Sequence, residues 1–565
     1  MPRSNNHVVL GINAYSHDAG AALFVDGKLV FAAEQERYDR VKHSPAFPRG
    51  AIEAALRHAG LTPDDVGHVA FCWRRDMAIR NKLGYFLAGF PRTLPFLLER
   101  PDGLPGRVGY LQAVRSLPRD LKDAAISAPI TYVEHHRAHA AQAWRLGDAA
   151  QTDIVVADGM GEWDTTTWWH AANGVLERGG ARTYPQSLGK FYAAVTQHLG
   201  FRPESGEGKT MGLAPFGNDT LVEPLRELVV PRLRVSEFGF AHGRTCMAGP
   251  AFERRFGPPR APDAPIEQRH KDLARAAQVA LEDAILELLP QRRSDRLALA
   301  GGVFLNCVLN GRLRREAGYE SVSVFPAAGD AGAAAGAAAE VLDLQPQGIE
   351  HAYWGDGFDG PTVQGAIDSH AGDFDVERVE DPADVAAEAL AAGALVGWFS
   401  GRMEFGPRAL GARSILADPR LPDVQLRINR DVKFREDFRP FAPAILSEKA
   451  DEWFEGAAAS PFMLFTFPVR ESRRERIPGV VHVDGSARVQ TVDDRTGHEA
   501  FRSVLESFER RTGLPLLLNT SFNVRGEPIV RTPQEALSVF ARGALDVLIL
   551  EDRVVRKRNP SPLPA

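Results

Sequence analysis

The sequence has few cysteines and no segment long enough to span a membrane. The three cysteines, Cys72, Cys246 and Cys307, lie far apart and form no CxxC pair, which argues against a disulfide framework and against a cysteine zinc site. The N-terminus MPRSNNHVVLGIN has no signal-peptide core, and no apolar run approaches the ~18 residues needed to cross a bilayer. These absences predict a soluble, cytoplasmic protein with no membrane partner.

The sequence also has no strong excess of charge of one sign. A net charge of -6 and a pI near 6.3 give no general attraction to polyanions, so the composition predicts no nucleic-acid partner. Hydrophobic residues make up 44% and charged residues 25%, as in folded globular proteins. A chain of 565 residues exceeds what one core serves, which predicts two or three domains.

Strand-like and helix-like segments alternate through the first part of the chain. VVLGIN is a short apolar strand, and two further strands flank a turn at Asp26 and Gly27. TDIVVADGMGE is a strand ending in Asp158, RLALAGGVFLN runs from a strand into glycines, and Asp330 stands in a turn before an alanine-rich helix. We therefore predict an α/β fold with functional groups at the carboxyl ends of strands.

A change in composition divides the chain. Residues 346–384 are rich in proline, glycine and aromatic residues and lack a clear period, which predicts a linker between domains at 1–345 and 385–565. In the second domain GALVGWFSGR and LPLLLNTSFN are strand-like, and TPQEALSVFAR has a capping threonine and a proline in its first turn.

The segment YVEHHRAHAAQAW contains three histidines in a helix-forming context. His135 and His139 are four residues apart, so they share one helix face and can reach the same ion. His136 points elsewhere. The spacing alone leaves two interpretations open, a metal site or polar residues on an ordinary helix.

The separate motifs together match a known family. They occur in the family's order: GINAYSHDAGAAL, EQERYDRVKH, EHHRAHAAQA, VVADGMGE, GEGKTMGLAPFG, AGGVFLN, GDAGAAAGAA, GRMEFGPRALGARSI, NRDVKFREDFRPFAP, SARVQTV and LNTSFNVRGEPIV. Over nearly its whole length the chain resembles the NodU/CmcH family of O-carbamoyltransferases. The resemblance implies an actin-like ATPase domain, close to tRNA threonylcarbamoyl-transfer proteins, followed by a YrdC-like domain.

The resemblance also implies a staged reaction. The C-terminal domain hydrolyses carbamoyl phosphate to carbamate and activates it with ATP, as the magnesium complex, to carbamoyl adenylate. The N-terminal domain moves the carbamoyl group to a hydroxyl of the acceptor and releases AMP. The expected acceptor is a hydroxylated, glycosylated small molecule such as an antibiotic, and a homodimer is the expected assembly.

The family's metal ligands match His135, His139, Asp158 and Asp330. Imidazole and carboxylate together suit Fe(II), Mn(II) or Zn(II), so the chemistry does not choose among them. The resemblance favours iron. The alternative is that the two aspartates merely cap the elements that follow them.

The resemblance assigns further residues to substrate contacts. His17 is expected to contact the acceptor hydroxyl, and a histidine there suits a base near neutral pH, although the sequence leaves open whether His17 takes the proton. Lys42 is expected to contact the adenylate. The alternative for His17 is a turn histidine bonded to the backbone. For the basic residues named next the alternative is a solvated basic face, and for the LNTSFN residues it is an ordinary turn. Carbamoyl phosphate and nucleotide binding fall on Arg408, Arg413, Lys433, Arg439, Arg488, Asn519, Ser521, Gly302 and Asn306, with Asn523 a weaker candidate.

The acceptor itself is not named by the sequence. Residues 80–111 carry leucines, phenylalanines and tyrosines that either line a cleft for an apolar glycoside or form helical core. Two other functions share part of the pattern. The GPRALG and LNTSFN motifs argue against an actin-like sugar kinase, and the acidic balance argues against a tRNA threonylcarbamoyl-type modification protein.

Overall fold

The computed structural model describes residues 7–98, 107–370, 372–457, 459–494 and 497–558. The chain forms two compact units. The first contains the described residues of Met1–Gln35 and His43–Ile349, and the second contains Glu36–Lys42 and the described residues of Glu350–Ala565.

Strands occur in both units. They are β1 (Val8–Asn13), β2 (Gly20–Val25), β3 (Lys28–Glu34), β4 (His68–Phe71), β5 (Ile130–Tyr132), β6 (Thr152–Ala157), β7 (Asp164–Ala172), β8 (Val175–Thr183), β9 (Arg296–Ala300), β10 (Ser321–Val324), β11 (Phe374–Arg378), β12 (Val396–Phe399), β13 (Arg413–Ala417), β14 (Ala442–Leu446), β15 (Thr466–Pro468), β16 (Ser486–Arg488), β17 (Gln490–Val492), β18 (Leu516–Ser521), β19 (Val547–Leu550) and β20 (Arg553–Lys557).

Helices connect and cover the strands. They are α1 (Glu36–Asp39), α2 (Arg49–Ala59), α3 (Ile79–Gly89), α4 (Leu94–Leu98), α5 (Arg107–Asp123), α6 (His135–Arg145), α7 (Leu188–His198), α8 (Glu207–Leu213), α9 (Val222–Val229), α10 (Pro250–Phe256), α11 (Gln268–Leu288), α12 (Cys307–Glu316), α13 (Asp330–Val341), α14 (Gly360–Asp368), α15 (Pro382–Ala391), α16 (Val424–Arg427), α17 (Ala450–Trp453), α18 (Glu471–Arg474), α19 (Glu499–Thr512) and α20 (Pro533–Arg542).

The first unit contains the same sheet twice. One sheet has the order β3-β2-β1-β4-β5 and the other the order β8-β7-β6-β9-β10. In each, the first strand in the chain pairs antiparallel with the strand that follows it and parallel with the fourth. The predicted α/β class is confirmed, as are the hairpin at Asp26 and Gly27 and the position of Asp158 directly after β6.

Close packing of α13 positions its first residue, Asp330, next to α6 in this unit. Its residues Asp330–Ala339 are buried, and it packs against both α6 and β1. A Cβ at Gly336 would lie 2.0 Å from the Ala138 carbonyl oxygen of α6, and a Cβ at Gly11 of β1 would lie 2.0 Å from the Ala334 carbonyl oxygen. Glycine at these two positions therefore allows α13 to approach close enough to set its first residue beside α6.

The second unit is built on one mixed sheet with the order β11-β20-β19-β12-β13-β18-β14-β17. The predicted strands of GALVGWFSGR and LPLLLNTSFN are β12 and β18. The predicted helix of TPQEALSVFAR is α20, whose N-cap Thr532 accepts a hydrogen bond from the Glu535 backbone. Among the described residues, no helix combines the length and apolar character required to cross a bilayer.

Two boundaries differ from those expected from the sequence. The second unit begins at Glu350, and β11 inside the expected linker 346–384 pairs antiparallel with β20. The segment Glu36–Lys42, expected within domain 1–345, packs in the second unit, where Arg37 donates to the Gly406 carbonyl and Tyr38 donates to Asp356. Strand pairing and these hydrogen bonds join segments far apart in the chain, so local composition did not reveal them.

Candidate active site

Four side chains that can bind a metal converge in the interior of the first unit. His135 and His139 lie on α6, Asp158 follows β6, and Asp330 begins α13. One ligand atom from each residue lies within 4.8 Å of the others, and all four residues are buried. The structure thus brings together the four residues that the resemblance assigned as metal ligands.

The distances within this set are short. The Nε2 atoms of His135 and His139 lie 3.2 Å apart, and His135 Nε2 lies 3.1 Å from Asp158 Oδ2. Asp330 Oδ1 lies 3.5 Å from His135 Nε2 and 3.8 Å from His139 Nε2. Among the described residues, Asp330 Oδ1 has no hydrogen-bond partner.

These distances fit a metal ion. Metal–ligand bonds of about 2.0–2.2 Å separate neighbouring ligand atoms by about 3.0–3.6 Å. The orphaned Asp330 oxygen is a further sign, because a buried carboxylate oxygen without a donor is costly. Two imidazoles and two carboxylates suit Fe(II), Mn(II) and Zn(II), and the donor set alone does not choose among them.

The two imidazoles are oriented by their second nitrogens. His135 Nδ1 lies 3.1 Å from the Cys72 carbonyl oxygen, which directs its Nε2 into the set. His139 Nδ1 lies 3.5 Å from Gln142 Oε1, and Gln142 Nε2 donates to the Ala327 carbonyl at 2.7 Å. Such outer contacts commonly fix the tautomer of ligating histidines.

Two residues beyond the expected set hold His135 in place. The Trp73 ring stacks on the His135 imidazole with centroids 3.7 Å apart and planes 16° apart. The Glu162 carboxylate accepts hydrogen bonds from the backbone N–H groups of His135, at 3.2 Å, and Arg74, at 2.7 Å. Glu162 lies in the quoted motif VVADGMGE, but no pattern indicated that its partners would be main-chain groups.

The carboxylates of this set and His135 shift one another's pKa values. Burial by itself would lower the pKa of His135, but the carboxylates of Asp330 and Asp158 outweigh it and raise that pKa well above its usual value. Burial would raise the pKa of Asp330, but His17 and His135 hold it well below its usual range. The carboxylates therefore favour positive charge at His135, as they would favour a bound cation.

His17 lies at the edge of this set. Its Nε2 is 3.8 Å from Asp330 Oδ2, and its Nδ1 is 3.0 Å from Asp18 Oδ2. Burial would lower the pKa of His17, but Asp330 and then Asp18 raise it to about 10. With this pKa His17 is protonated at neutral pH and donates one hydrogen bond, to Asp18, whereas a histidine that takes a proton must be neutral.

His136 does not join the set. It is buried, and its Nδ1 lies 3.0 Å from Thr167 Oγ1 of β7. Burial lowers the pKa of His136 to about 3, so it is a neutral core residue.

The two expected binding residues in the glycine turn after β9, Gly302 and Asn306, differ in their surroundings. Gly302 is exposed, and a Cβ built there meets no atom within 4 Å, so its backbone is open to a ligand. Asn306 is the N-cap of α12 and accepts a hydrogen bond from the Leu309 backbone. Its amide also exchanges hydrogen bonds with Gln278 at 2.9 and 3.2 Å.

In the second unit, the Arg413 guanidinium donates hydrogen bonds to main-chain carbonyl groups. It is fully buried, with its guanidinium 3.6 Å from the centroid of the Phe399 ring. It donates hydrogen bonds to the carbonyl oxygens of Ser400, Ala412, Asp356 and Gly401. The two Nη atoms of Arg413 thus donate to main-chain acceptors, and the expected phosphate contact through Arg413 stays a prediction.

Other expected cations form a crowded positive cluster, to which the structure adds Arg435. Burial lowers the pKa of Lys433 well below its usual value, and Arg435, Arg439 and Lys42 add to that effect. Burial and then Arg439 and Arg488 likewise depress the pKa of Arg435. Desolvated cations that repel one another in this way favour a bound anion. Sequence reasoning did not single out Arg435, although it lies in the quoted motif NRDVKFREDFRPFAP.

The LNTSFN motif contacts this cluster through Lys433. The ammonium of Lys433 donates to Asn523 Oδ1 at 2.7 Å, to Ser521 Oγ at 3.2 Å and to the Ser521 carbonyl. Asn519 is buried and donates to Gln490 Oε1 at 2.8 Å. Asn523 and Ser521 thus lie beside the cations, whereas the amide nitrogen of Asn519 is used inside the sheet.

The remaining expected binding residues lie in loops or at strand ends of the second unit. Arg408 is half-buried in the loop before β13, and Arg488 is the last residue of β16. Lys42 is exposed and lies close enough to Lys433 to lower its pKa.

The expected acceptor segment 80–111 contains α3, a turn at residues 90–93, α4 and the start of α5, and residues 99–106 lie outside the described residues. Tyr85 packs against Trp163 with ring centroids 5.7 Å apart, and Trp163 directly follows Glu162 in the chain. Leu83 and Leu87 point outward, with 51% and 63% of their surface exposed. The segment therefore combines core contacts with an exposed apolar face.

Comparison with known proteins also divides the chain into two parts. The Carbamoyltransferase N-terminus family model matches residues 8–339, and the Carbamoyltransferase C-terminus model matches residues 387–557. A Synechocystis sp. protein named Uncharacterized protein sll1178 is 38% identical over 602 residues, covering 97% of this chain and 96% of its own.

Two nodulation proteins are similarly related. Nodulation protein NolNO of Sinorhizobium fredii is 37% identical over 576 residues, covering 97% of this chain and 80% of its own. Nodulation protein NolO of Bradyrhizobium diazoefficiens is 38% identical over 442 residues, covering 76% of this chain and 80% of its own. With both family models matched in order over most of its length, this chain belongs to the carbamoyltransferase family and is a carbamoyltransferase.

Proposed function

We propose that the protein is an ATP-dependent O-carbamoyltransferase that works through carbamoyl adenylate. In the first stage carbamoyl phosphate is hydrolysed to carbamate and phosphate. Carbamate then attacks the α-phosphorus of ATP, forming carbamoyl adenylate and releasing pyrophosphate. Finally an acceptor hydroxyl attacks the carbamoyl carbon, forming the O-carbamate and releasing AMP and a proton.

The positive cluster of the second unit supports the first stage. Lys433, Arg435 and Arg439 are desolvated cations, and Ser521 and Asn523 add hydrogen-bonding groups beside them. Guanidinium forks and a lysine ammonium suit the phosphates of carbamoyl phosphate and of ATP bound as its magnesium complex. We propose Arg408 and Arg488 as further contacts in the same role.

The buried set of His135, His139, Asp158 and Asp330 carries the proposal for the transfer stage. These residues would hold a divalent metal, for which iron is favoured by the family resemblance and manganese and zinc also fit the donors. Such an ion neutralises phosphate charge and polarises a carbonyl group. Gly302 offers an open backbone where a nucleotide can approach.

His17 is proposed to contact the acceptor hydroxyl. Because Asp330 makes the largest contribution that raises the His17 pKa, a cation shared with Asp330 would lower that pKa and free a ring nitrogen to accept a proton. Lys42, a residue of the second unit, is proposed to contact the adenylate phosphate.

The finer fold assignments are part of the same proposal. The duplicated sheet of the first unit supports the actin-like superfold. A YrdC-like second unit and a homodimer stay predictions from the resemblance. We propose a hydroxylated, glycosylated natural product as the acceptor.

Product analysis tests the proposal. The protein is incubated with carbamoyl phosphate, ATP and a panel of hydroxylated glycosides, and mass spectrometry reads the gain of one carbamoyl group. We expect AMP and pyrophosphate in stoichiometric amounts, and neither without carbamoyl phosphate. Stoichiometric ADP would contradict the adenylate and indicate a kinase-like reaction.

A further inference from the structure

The Asn13 carboxamide is buried at the end of β1 and uses its full hydrogen-bonding capacity. Its Nδ2 donates to the carbonyl oxygens of His17, at 3.1 Å, and Asp18, at 2.9 Å. Its Oδ1 accepts from Trp73 Nε1 at 2.9 Å and from the Cys72 thiol at 3.4 Å. A primary amide offers two donors and two acceptor positions, so one side chain joins two separate segments.

The first of these segments is the loop between β1 and β2, which carries His17. Two of its residues lie in the left-handed backbone region, Tyr15 with φ 74° and Asp18 with φ 51°. Residues other than glycine rarely adopt this region without outside support. The loop therefore owes its shape to tertiary contacts, and Asn13 supplies two of them at His17 and at the residue that follows it.

The second segment holds His135. The Trp73 ring stacks on the His135 imidazole at 3.7 Å, and the Cys72 carbonyl oxygen lies 3.1 Å from His135 Nδ1. These contacts fix both the plane and the rotation of the imidazole. The same two residues, Trp73 and Cys72, are those that donate to Asn13 Oδ1.

We propose that Asn13 is a positioning residue that fixes the His17 loop and the His135 imidazole relative to each other. It lies in the motif GINAYSHDAGAAL, and it acts through its neighbours rather than on the substrate. The inference rests on the proposed roles of His17 and His135 in carbamoyl transfer. An asparagine that merely filled the core would instead affect the stability of the whole unit.

Two substitutions separate the two sides of Asn13. Asn13→Asp keeps an oxygen facing Trp73 but replaces the donors to His17 and Asp18 with a second oxygen, which repels those carbonyls. Trp73→Phe keeps an aromatic ring on His135 and removes the N–H donated to Asn13. Trp169→Phe is the matched control, because Trp169 is also buried and its Nε1 donates to Thr167 Oγ1 at 2.9 Å rather than to Asn13.

Hydrogen exchange of the metal-free full-length protein provides a readout independent of activity. For Asn13→Asp we expect amide exchange of residues 14–19 to accelerate by about tenfold or more, with exchange in β6 and β9 unchanged. For Trp169→Phe we expect wild-type exchange in residues 14–19. Unchanged exchange in Asn13→Asp, or a uniform acceleration throughout the unit, would overturn the inference.

Kinetics then connects the loop to the reaction. We expect Asn13→Asp and Trp73→Phe to lower kcat for acceptor carbamoylation by about tenfold, with ATP–pyrophosphate exchange and bound metal retained. Equal loss of both activities would overturn the inference. If the wild-type protein itself bound no metal, the proposed function would fail, while the hydrogen-exchange result would still decide whether Asn13 holds the loop.

Discussion

His135 and His139 point their Nε2 atoms at each other across 3.2 Å in a buried site that also contains two carboxylates. Since the other nitrogen of His135 faces a main-chain carbonyl, its Nε2 is directed inward as an acceptor once the ring is neutral. With both imidazoles neutral, the set carries two negative charges in the protein interior. Such an arrangement favours a bound cation.

Replacing His139 should remove the metal. Without one imidazole the site keeps three ligands, so we expect His139→Ala to bind far less metal by elemental analysis and to lose acceptor carbamoylation. His136→Gln is the matched control, because His136 is a buried histidine on the same helix that contacts Thr167. A full metal equivalent and normal transfer in His139→Ala would show that the ligand assignment is wrong.

Metal binding should strengthen as the pH rises. The pKa of His135 is raised by Asp330 and Asp158, so the metal-free protein holds a proton there at neutral pH, and a metal must displace it. Calorimetric titration in buffers of different ionisation enthalpy should therefore detect proton release on binding. Binding that is independent of pH between about 6.5 and 9 would contradict this prediction.

The same proton affects folding stability without metal. His135 in the unfolded chain has a pKa of about 6.5, below its raised value in the folded protein. Its contribution to stability is thus fully present below about pH 6.5 and is lost as the pH rises through the folded pKa. We expect the thermal midpoint of the metal-free protein to fall over that range, and His135→Ala to flatten the slope.

The two half-reactions should separate between the units. Arg408→Ala removes charge-assisted hydrogen bonds to phosphate, worth roughly 1.5–3 kcal/mol each, so ATP–pyrophosphate exchange should fall by about tenfold or more. His135→Ala should retain exchange and lose acceptor carbamoylation. Arg420→Ala is the control, because Arg420 pairs with Asp418 outside the positive cluster. Equal loss of ATP–pyrophosphate exchange in Arg408→Ala and His135→Ala would contradict two separate sites and indicate one composite active site.

Arg413 should prove to be structural. Arg413→Met removes the donors from four buried carbonyl oxygens, so we expect the free energy of unfolding in urea to fall by about 3 kcal/mol or more. Arg378→Met, which removes an ion pair exposed on both sides, should change it by less than about 1 kcal/mol. Wild-type stability combined with a selective loss of carbamoyl phosphate binding would instead restore the phosphate role that the sequence suggested.

Much of the local structure was predictable because it depends on nearby residues. The hairpin at Asp26 and Gly27 and the capped helix α20 follow from turn and capping preferences. The arginines were harder to assign, because a buried structural guanidinium and a ligand-binding one look alike in sequence. The sequence therefore assigned a phosphate role to Arg413, whose guanidinium donates to main-chain carbonyl groups, and did not single out the buried Arg435.

For the candidate site, the sequence by itself determined that His135 and His139 share one face, since helical periodicity places residues four apart together. It also determined that Asp158 follows a buried strand. Only the tertiary structure decided that Asp158 and Asp330 meet that face, through parallel pairing of β6 with β9 and the glycine-dependent approach of α13 to α6. Those contacts join segments far apart in the chain, and their geometry depends on packing that no local pattern encodes.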